Sequence, residues 1–262
     1  MKYNINNNNI SKVFLNLKEN ITKQKHNIKE LLNIDYKYCK FKVDIDILLD
    51  IIKKLENEKL NISEEQKIIV HYNGNPYITL NLSILAILTK TAIILEFDDY
   101  MLGINRFIVN KTNEILENFQ TDNLISILKK DDKINNDVDK IICIDDINKY
   151  NKYIYEKNAK AKFFAFDYID FYSDCEELEE LSELIYKYAE NNLIPIESYS
   201  EFEVDEASRL MQEGLGKKVI LLTNNEETKK KINNNLNDKQ IFINENPFDK
   251  HTRLIDSKIF NI

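Results

Sequence analysis

Residues 67–97 constrain this chain more than any other stretch. Lys67-Ile68-Ile69-Val70-His71 reads as a strand and Tyr72-Asn73-Gly74-Asn75-Pro76 as a tight turn. The apolar run Leu80–Leu88, within a helix expected over 78–88, reads as buried, and Ala92–Phe97 as a second strand. This is a βαβ unit, the start of a parallel sheet whose carboxyl edge forms a ligand crevice. Gly74 is one of only four glycines in 262 residues. Its place after a strand marks a backbone angle that other residues resist, and Asn75-Pro76 pre-sets the first helical turn.

Beyond this unit, strands and helices alternate. Strands are expected at 140–144, 163–166, 169–172, 218–222 and 240–244. Helices are expected at 101–119, 147–156, 176–191, 204–213 and 226–236, and 123–129 reads as a short helix or strand. Strands such as Val219-Ile220-Leu221-Leu222 are apolar throughout, as strands covered on both faces are. The pattern predicts an α/β fold: a doubly wound, mainly parallel sheet with helices on both faces. Residues 1–9 read as disordered, and apolar spacing over 10–32 and 45–60 predicts two amphipathic helices. The expected organisation is therefore a helical extension over 1–62 and a Rossmann-like α/β domain over 63–262. Gly214-Leu215-Gly216 reads as a helix C-cap.

Composition excludes several classes of function. The formal charge of −8 and the absence of a basic stripe argue against a nucleic-acid partner. No apolar run is long enough to span a bilayer and the N-terminus is polar, so a membrane role is not expected and a cytoplasmic protein is. Three dispersed cysteines without a CxxC pair indicate neither a zinc site nor a disulfide framework. His26, His71 and His251 show no ligand spacing, so no metal is expected; His71, beside the key turn, is the histidine placed to meet a ligand.

Candidate chemistry gathers at the strand ends. The amide of Asn75, at a helix N-terminus, can hold an oxyanion or polarise a carbonyl; the competing reading is a plain turn with Asn75 as helix cap. Glu96 ends the second strand, where doubly wound folds hold ribose hydroxyls; the competing reading is a surface acid beside Asp98 and Asp99. Asp145-Asp146 follows the strand 140–144, where a phosphate cradle would want glycine and a small hydroxyl residue. Two aspartates there cap the helix themselves and repel an anion. Cys175 lies at a helix start between two acids, and Cys143 lies within a buried strand, a poor setting for a nucleophile.

The turn 71–76, the apolar helix after it and Thr91-Ala92-Ile93-Ile94-Leu95-Glu96 resemble the first part of the cofactor domain in the aldehyde dehydrogenase superfamily. The branches most similar are glutamate-semialdehyde dehydrogenase (gamma-glutamyl phosphate reductase) and the fatty acyl-CoA reductases. Residues 217–248 are similar to the closing segments of that fold. The resemblance implies that Gly74, Asn75, Pro76, Glu96 and Asp145 lie along a dinucleotide (NAD) crevice, with Asn75 at the oxyanion position and Glu96 at the ribose position. The superfamily usually has Lys or Arg at the latter. It also implies a Gly-Ser phosphate turn where this chain has Asp145-Asp146, and a Gly-Gln-x-Cys nucleophile segment that this chain lacks. The stretch 173–203 leaves no room for the superfamily's full catalytic domain.

Three readings follow. The first is a degenerate, non-catalytic relative, a pseudoenzyme that binds a small ligand of nucleotide or acyl type or a protein partner. The second is a reduced NAD(P)-dependent aldehyde or acyl oxidoreductase with Cys175, or another subunit, supplying the nucleophile. The third is a structural adaptor with an empty crevice. A homo-oligomer is compatible with all three.

Overall fold

The computed structural model describes residues 7–35, 43–56, 66–97, 101–121, 124–128, 138–157, 160–166, 168–192, 194–199, 203–214, 217–236, 239–245, 255, 259 and 260. Cys39, Asp98, Asp99, Gly216 and His251 lie outside them. Two compact units emerge, 1–164 with 252–262, and 165–251.

The first unit is built on five parallel strands in the order β3-β2-β1-β4-β5: β1 (Lys67–His71), β2 (Ala92–Glu96), β3 (Ile125–Ile127), β4 (Lys140–Ile144) and β5 (Ala161–Phe164). Chain direction across the sheet reverses between β1 and β4, which makes their carboxyl ends the topological switch point. Side chains alternate between faces. Ile69, Ile94, Ile141 and Cys143 share one face with Tyr150 and Tyr153 of α6 (Ile147–Lys157). The buried Ile68, Val70, Ile93 and Leu95 point the other way, toward the side where right-handed crossovers put α4 (Pro76–Thr89) and α5 (Leu102–Glu117).

α4 is buried on every side except at Tyr77, because α3 (Ile45–Leu55) packs on it from outside. Its sequence is accordingly apolar all round, without the polar face of a surface helix. Asn75 caps it, Pro76 opens it, and Lys90 at φ 53° closes it. α1 (Asn7–Lys23) and α2 (Lys25–Asp35) pack on α5. The helices expected as a separate extension are thus a third layer of the first unit. Two expectations at the N-terminus are corrected. Asn7–Asn9 belong to α1, and the single helix expected over 10–32 is interrupted at Gln24.

The second unit carries its own parallel sheet, in the order β7-β6-β8-β9: β6 (Ile169–Ser173), β7 (Ile196–Ser198), β8 (Lys218–Leu222) and β9 (Gln240–Ile243). α7 (Glu179–Asn192), after a short 3-10 turn, covers Ile169, Phe171, Ile220 and Leu222. α8 (Val204–Glu213) and α9 (Glu226–Asn235) cover Tyr172, Val219 and Leu221. The fold class stands, since every described strand pair is parallel and the arrangement is α/β and doubly wound. The strands after residue 164, however, form a second sheet and do not extend the first. Gly214 ends α8 at φ −67°, outside the left-handed region of a Schellman cap. Space is its constraint: an added Cβ would sit 3.1 Å from Asp170 Oδ1 and from the Leu210 carbonyl oxygen.

Candidate functional site

The βα turn forms as its residue types dictate. Gly74 stands at φ 82°, which an L side chain resists. The Gly74 carbonyl accepts from Asn105 Nδ2 at 2.7 Å. Asn105 Oδ1 in turn accepts from the Thr79 hydroxyl at 2.6 Å, and Thr79 meets the Tyr72 hydroxyl at 2.5 Å. This buried network ties the turn to α5 and fixes its shape. Burial pushes the Tyr72 phenol far above its ordinary range. Asn75 Oδ1 accepts from Tyr77 N at 2.9 Å, and the Asn75 N–H donates to Asn73 Oδ1 at 3.1 Å. The backbone N–H of Asn75, a donor that an oxyanion would need, is therefore engaged locally, while the side-chain oxygen serves as the cap of α4.

A charged cluster sits beside this turn, on the α6 face of the sheet edge. One rung of the sheet aligns Glu96, His71 and Cys143 on adjacent strands. Asp146, just before α6, and Lys149 and Tyr153 on it lie over that rung. His71 Nε2 lies 3.0 Å from Asp146 Oδ2, and Nδ1 lies 3.3 Å from Glu96 Oε2, near enough for charge attraction but out of line for a hydrogen bond. Lys149 Nζ reaches Glu96 Oε1 at 2.7 Å, and the Tyr153 hydroxyl donates to Glu96 Oε2. Burial disfavours the Glu96 anion, but the His71 ring beside it and hydrogen bonds from Lys149 and Tyr153 outweigh it and hold the carboxyl down to about 2. The Tyr153 phenol is pushed up by burial and by that carboxylate. Asp146 Oδ1 caps α6 by accepting from Lys149 N at 2.8 Å, and Asp145 adopts φ 57°.

Neither described thiol is activated by this cluster. Cys143 is fully buried; burial, with Glu96 and Asp146 nearby, pushes its thiol up to about 12. Cys175 lies in the second unit, partly exposed, and accepts from Asn224 Nδ2 at 3.2 Å. Among the described residues no group of His, Cys, Asp and Glu is arranged to hold a metal ion. None of the described helices is long and apolar enough to cross a membrane.

Of the residues singled out in the sequence, Gly74, Asn75, Pro76, Glu96 and Asp145 fall at the carboxyl edge of the first sheet, with His71 among them, and Cys175 does not. Lys149 and Tyr153 went unforeseen. Their signal was an i,i+4 pair on the α6 face that follows Asp145-Asp146, which becomes informative only once β1, β2 and β4 are known to be neighbours.

This arrangement is an aldehyde dehydrogenase-like fold. In particular, the chain is similar to gamma-glutamyl phosphate reductase of Thermotoga maritima (TM-score 0.56, 14% identity, covering 92% of this chain and 84% of that one). It is also similar to glyceraldehyde-3-phosphate dehydrogenase GapN of Methanocaldococcus jannaschii, solved with NADP (TM-score 0.58, 11% identity, 95% and 83% covered). A third similar structure is gamma-glutamyl phosphate reductase of Saccharomyces cerevisiae (TM-score 0.52, 12% identity, 94% and 88% covered). No protein-family model matches the chain, and no curated protein sequence does.

Proposed function

We propose that the chain is a non-catalytic relative of the aldehyde dehydrogenase-like reductases, acting by binding a small ligand or a protein partner and not by hydride transfer. The observation that carries this reading is the closed cluster at the β1/β4 switch point. The residues there do not fit a dinucleotide. Both oxygens of Glu96, the acid placed for ribose hydroxyls, are engaged by Lys149 and Tyr153. Asp145 and Asp146 stand where a diphosphate would approach the α6 N-terminus, and carboxylates there repel an anion. The thiol on the same rung, Cys143, is buried and held in its neutral form.

The test is turnover by the purified full-length chain. It is incubated with NAD⁺ or NADP⁺ and a panel of aldehydes, and in the reverse sense with NADPH and acyl donors, while absorbance at the reduced-nicotinamide band is followed. No change above a heat-treated control is expected; saturable turnover would overturn the reading. The second reading, a reduced oxidoreductase, draws support from the Asn224 hydrogen bond at the accessible Cys175. It requires turnover that Cys175→Ser abolishes.

A further inference from the structure

α7 carries more apolar surface than its sheet can cover. Ile185 and Ala189 are buried, and Leu178, just before the helix, and Leu181 pack half-buried with Ile185 against Ile169, Phe171, Ile220 and Leu222. These positions recur at helical spacing and form the inward stripe. Leu184 and Tyr188, one turn apart, lie beside that stripe and stay 52% and 37% exposed. Tyr186 is exposed as well, but its ring meets Phe171 edge-on at 5.0 Å, so the sheet already engages it. Leu181, Leu184 and Tyr188 thus make one apolar ridge that runs from the edge of the core into solvent. Single exposed leucines are ordinary, whereas apolar surface rimmed by charge marks a docking face.

The neighbouring ridge is acidic. Glu176, Glu180, Glu183 and Lys187 follow one another at the same spacing, and 176–192 holds six acids against that one lysine. Glu176, Glu179, Glu180 and Glu183 are exposed and make no ion pair among the described residues. The helix N-terminus favours the acids of the first turn. It does not account for Glu183, in the second turn, and like charges three and four apart weaken a helix. We propose that this face of α7 docks a basic amphipathic helix of a partner protein, with apolar residues against Leu184 and Tyr188 and lysine or arginine beside Glu176, Glu180 and Glu183. The sign of the charge selects that occupant. A second copy of this chain carries the same formal −8, and an anionic bilayer or a nucleic acid is repelled. Burying the two apolar side chains supplies the affinity, while the exposed acids set which partner approaches and how fast. α7 has 14 residues, about 21 Å, which a partner helix of similar length spans. The face belongs to the second unit and uses none of the residues around Glu96. Lost docking therefore leaves the non-catalytic reading intact, and turnover of NAD⁺ leaves the docking face intact.

The probe is a fluorescein-labelled peptide of about 16 residues, with leucine at helical spacing and lysine on both flanks. It is titrated with the full-length chain at low and high salt, and its anisotropy is followed. Saturable micromolar binding that weakens as salt rises is expected. Leu184→Gln/Tyr188→Gln is expected to weaken it about tenfold or more, and Glu180→Gln/Glu183→Gln about threefold at low salt. Glu114→Gln/Glu117→Gln, the same loss of charge on α5, is expected to leave it unchanged. Glutamine keeps the helix propensity, every substituted side chain is exposed, and circular dichroism with urea midpoints verifies folding. No saturable binding, binding that survives both α7 variants or falls equally in the α5 variant, or equal binding of a scrambled peptide of the same composition would overturn the proposal. So would self-association in sedimentation velocity that Leu184→Gln/Tyr188→Gln abolishes, since it would give the face to a second copy.

Discussion

At Gly74, the backbone angle of φ 82° is a demand made by the turn and met by the residue without a Cβ. Gly74→Ala is expected to lose about 1–2 kcal/mol by strain, measured by urea unfolding. Asn105 holds that turn from α5, so Asn105→Ala takes the donor from the buried Gly74 carbonyl and one acceptor from the Thr79 hydroxyl. A loss of about 1–3 kcal/mol is expected. Glu96 makes a pH-dependent contribution. Its folded-state pKa lies below its unfolded value, so ionisation stabilises the fold above about 4.5, and the gain fades as pH falls toward about 2. The gain amounts to at most about 3 kcal/mol. Stability measured between pH 6 and 3 should therefore fall less steeply for Glu96→Gln than for wild type; parallel curves would show that the network does not favour the anion. Gly74, Asn75 and Glu96 were legible as single residues because turn chemistry and strand ends are local. His71 could be noted but not assigned, since its partners come from β2 and α6, 25 and 75 positions away along the chain.

Among the elements, α4 shows how neighbours set composition. An apolar helix with no polar face reads in sequence as buried, and the structure supplies the reason in the sheet beneath it and α3 above it. The middle of α4 carries Asn81, whose Oδ1 accepts from Ile255 N at 2.5 Å and so ties Ile255 to this helix. In the second unit, Lys239 at the start of β9 reaches buried Asp170 on β6 at 2.7 Å and also donates to the carbonyls of Met211 and Gly214. Burial pushes the Asp170 carboxyl up while Lys239 opposes it. Lys239→Met strands a buried carboxyl and is expected to cost about 3–5 kcal/mol, much of it recovered in Asp170→Asn/Lys239→Met. Equal unfolding midpoints for the single and double variants would contradict this. Such a pair was invisible in sequence, because an Asp inside a strand and a Lys before another carry no mark of their adjacency.

For the whole molecule, strand and helix alternation gave the α/β class correctly, and all-apolar strands gave the parallel pairing. Alternation could not say where one sheet stops. β5 and β6 are separated by only a few residues, 165–168, yet β5 pairs with β4 and β6 with β7 and β8. Pairing partners, unlike periodicity, are non-local. The same limit explains why the N-terminal helices read as an extension: nothing in an amphipathic pattern names the surface it packs against.

The central claim is that the protein's own side chains hold the carboxyl-edge crevice against a dinucleotide. Calorimetric titration of NAD⁺ and NADP⁺ into the full-length wild-type chain tests it most directly. The account predicts no saturable heat up to millimolar cofactor. A stoichiometric isotherm in the micromolar range, lost in Glu96→Gln, would contradict it.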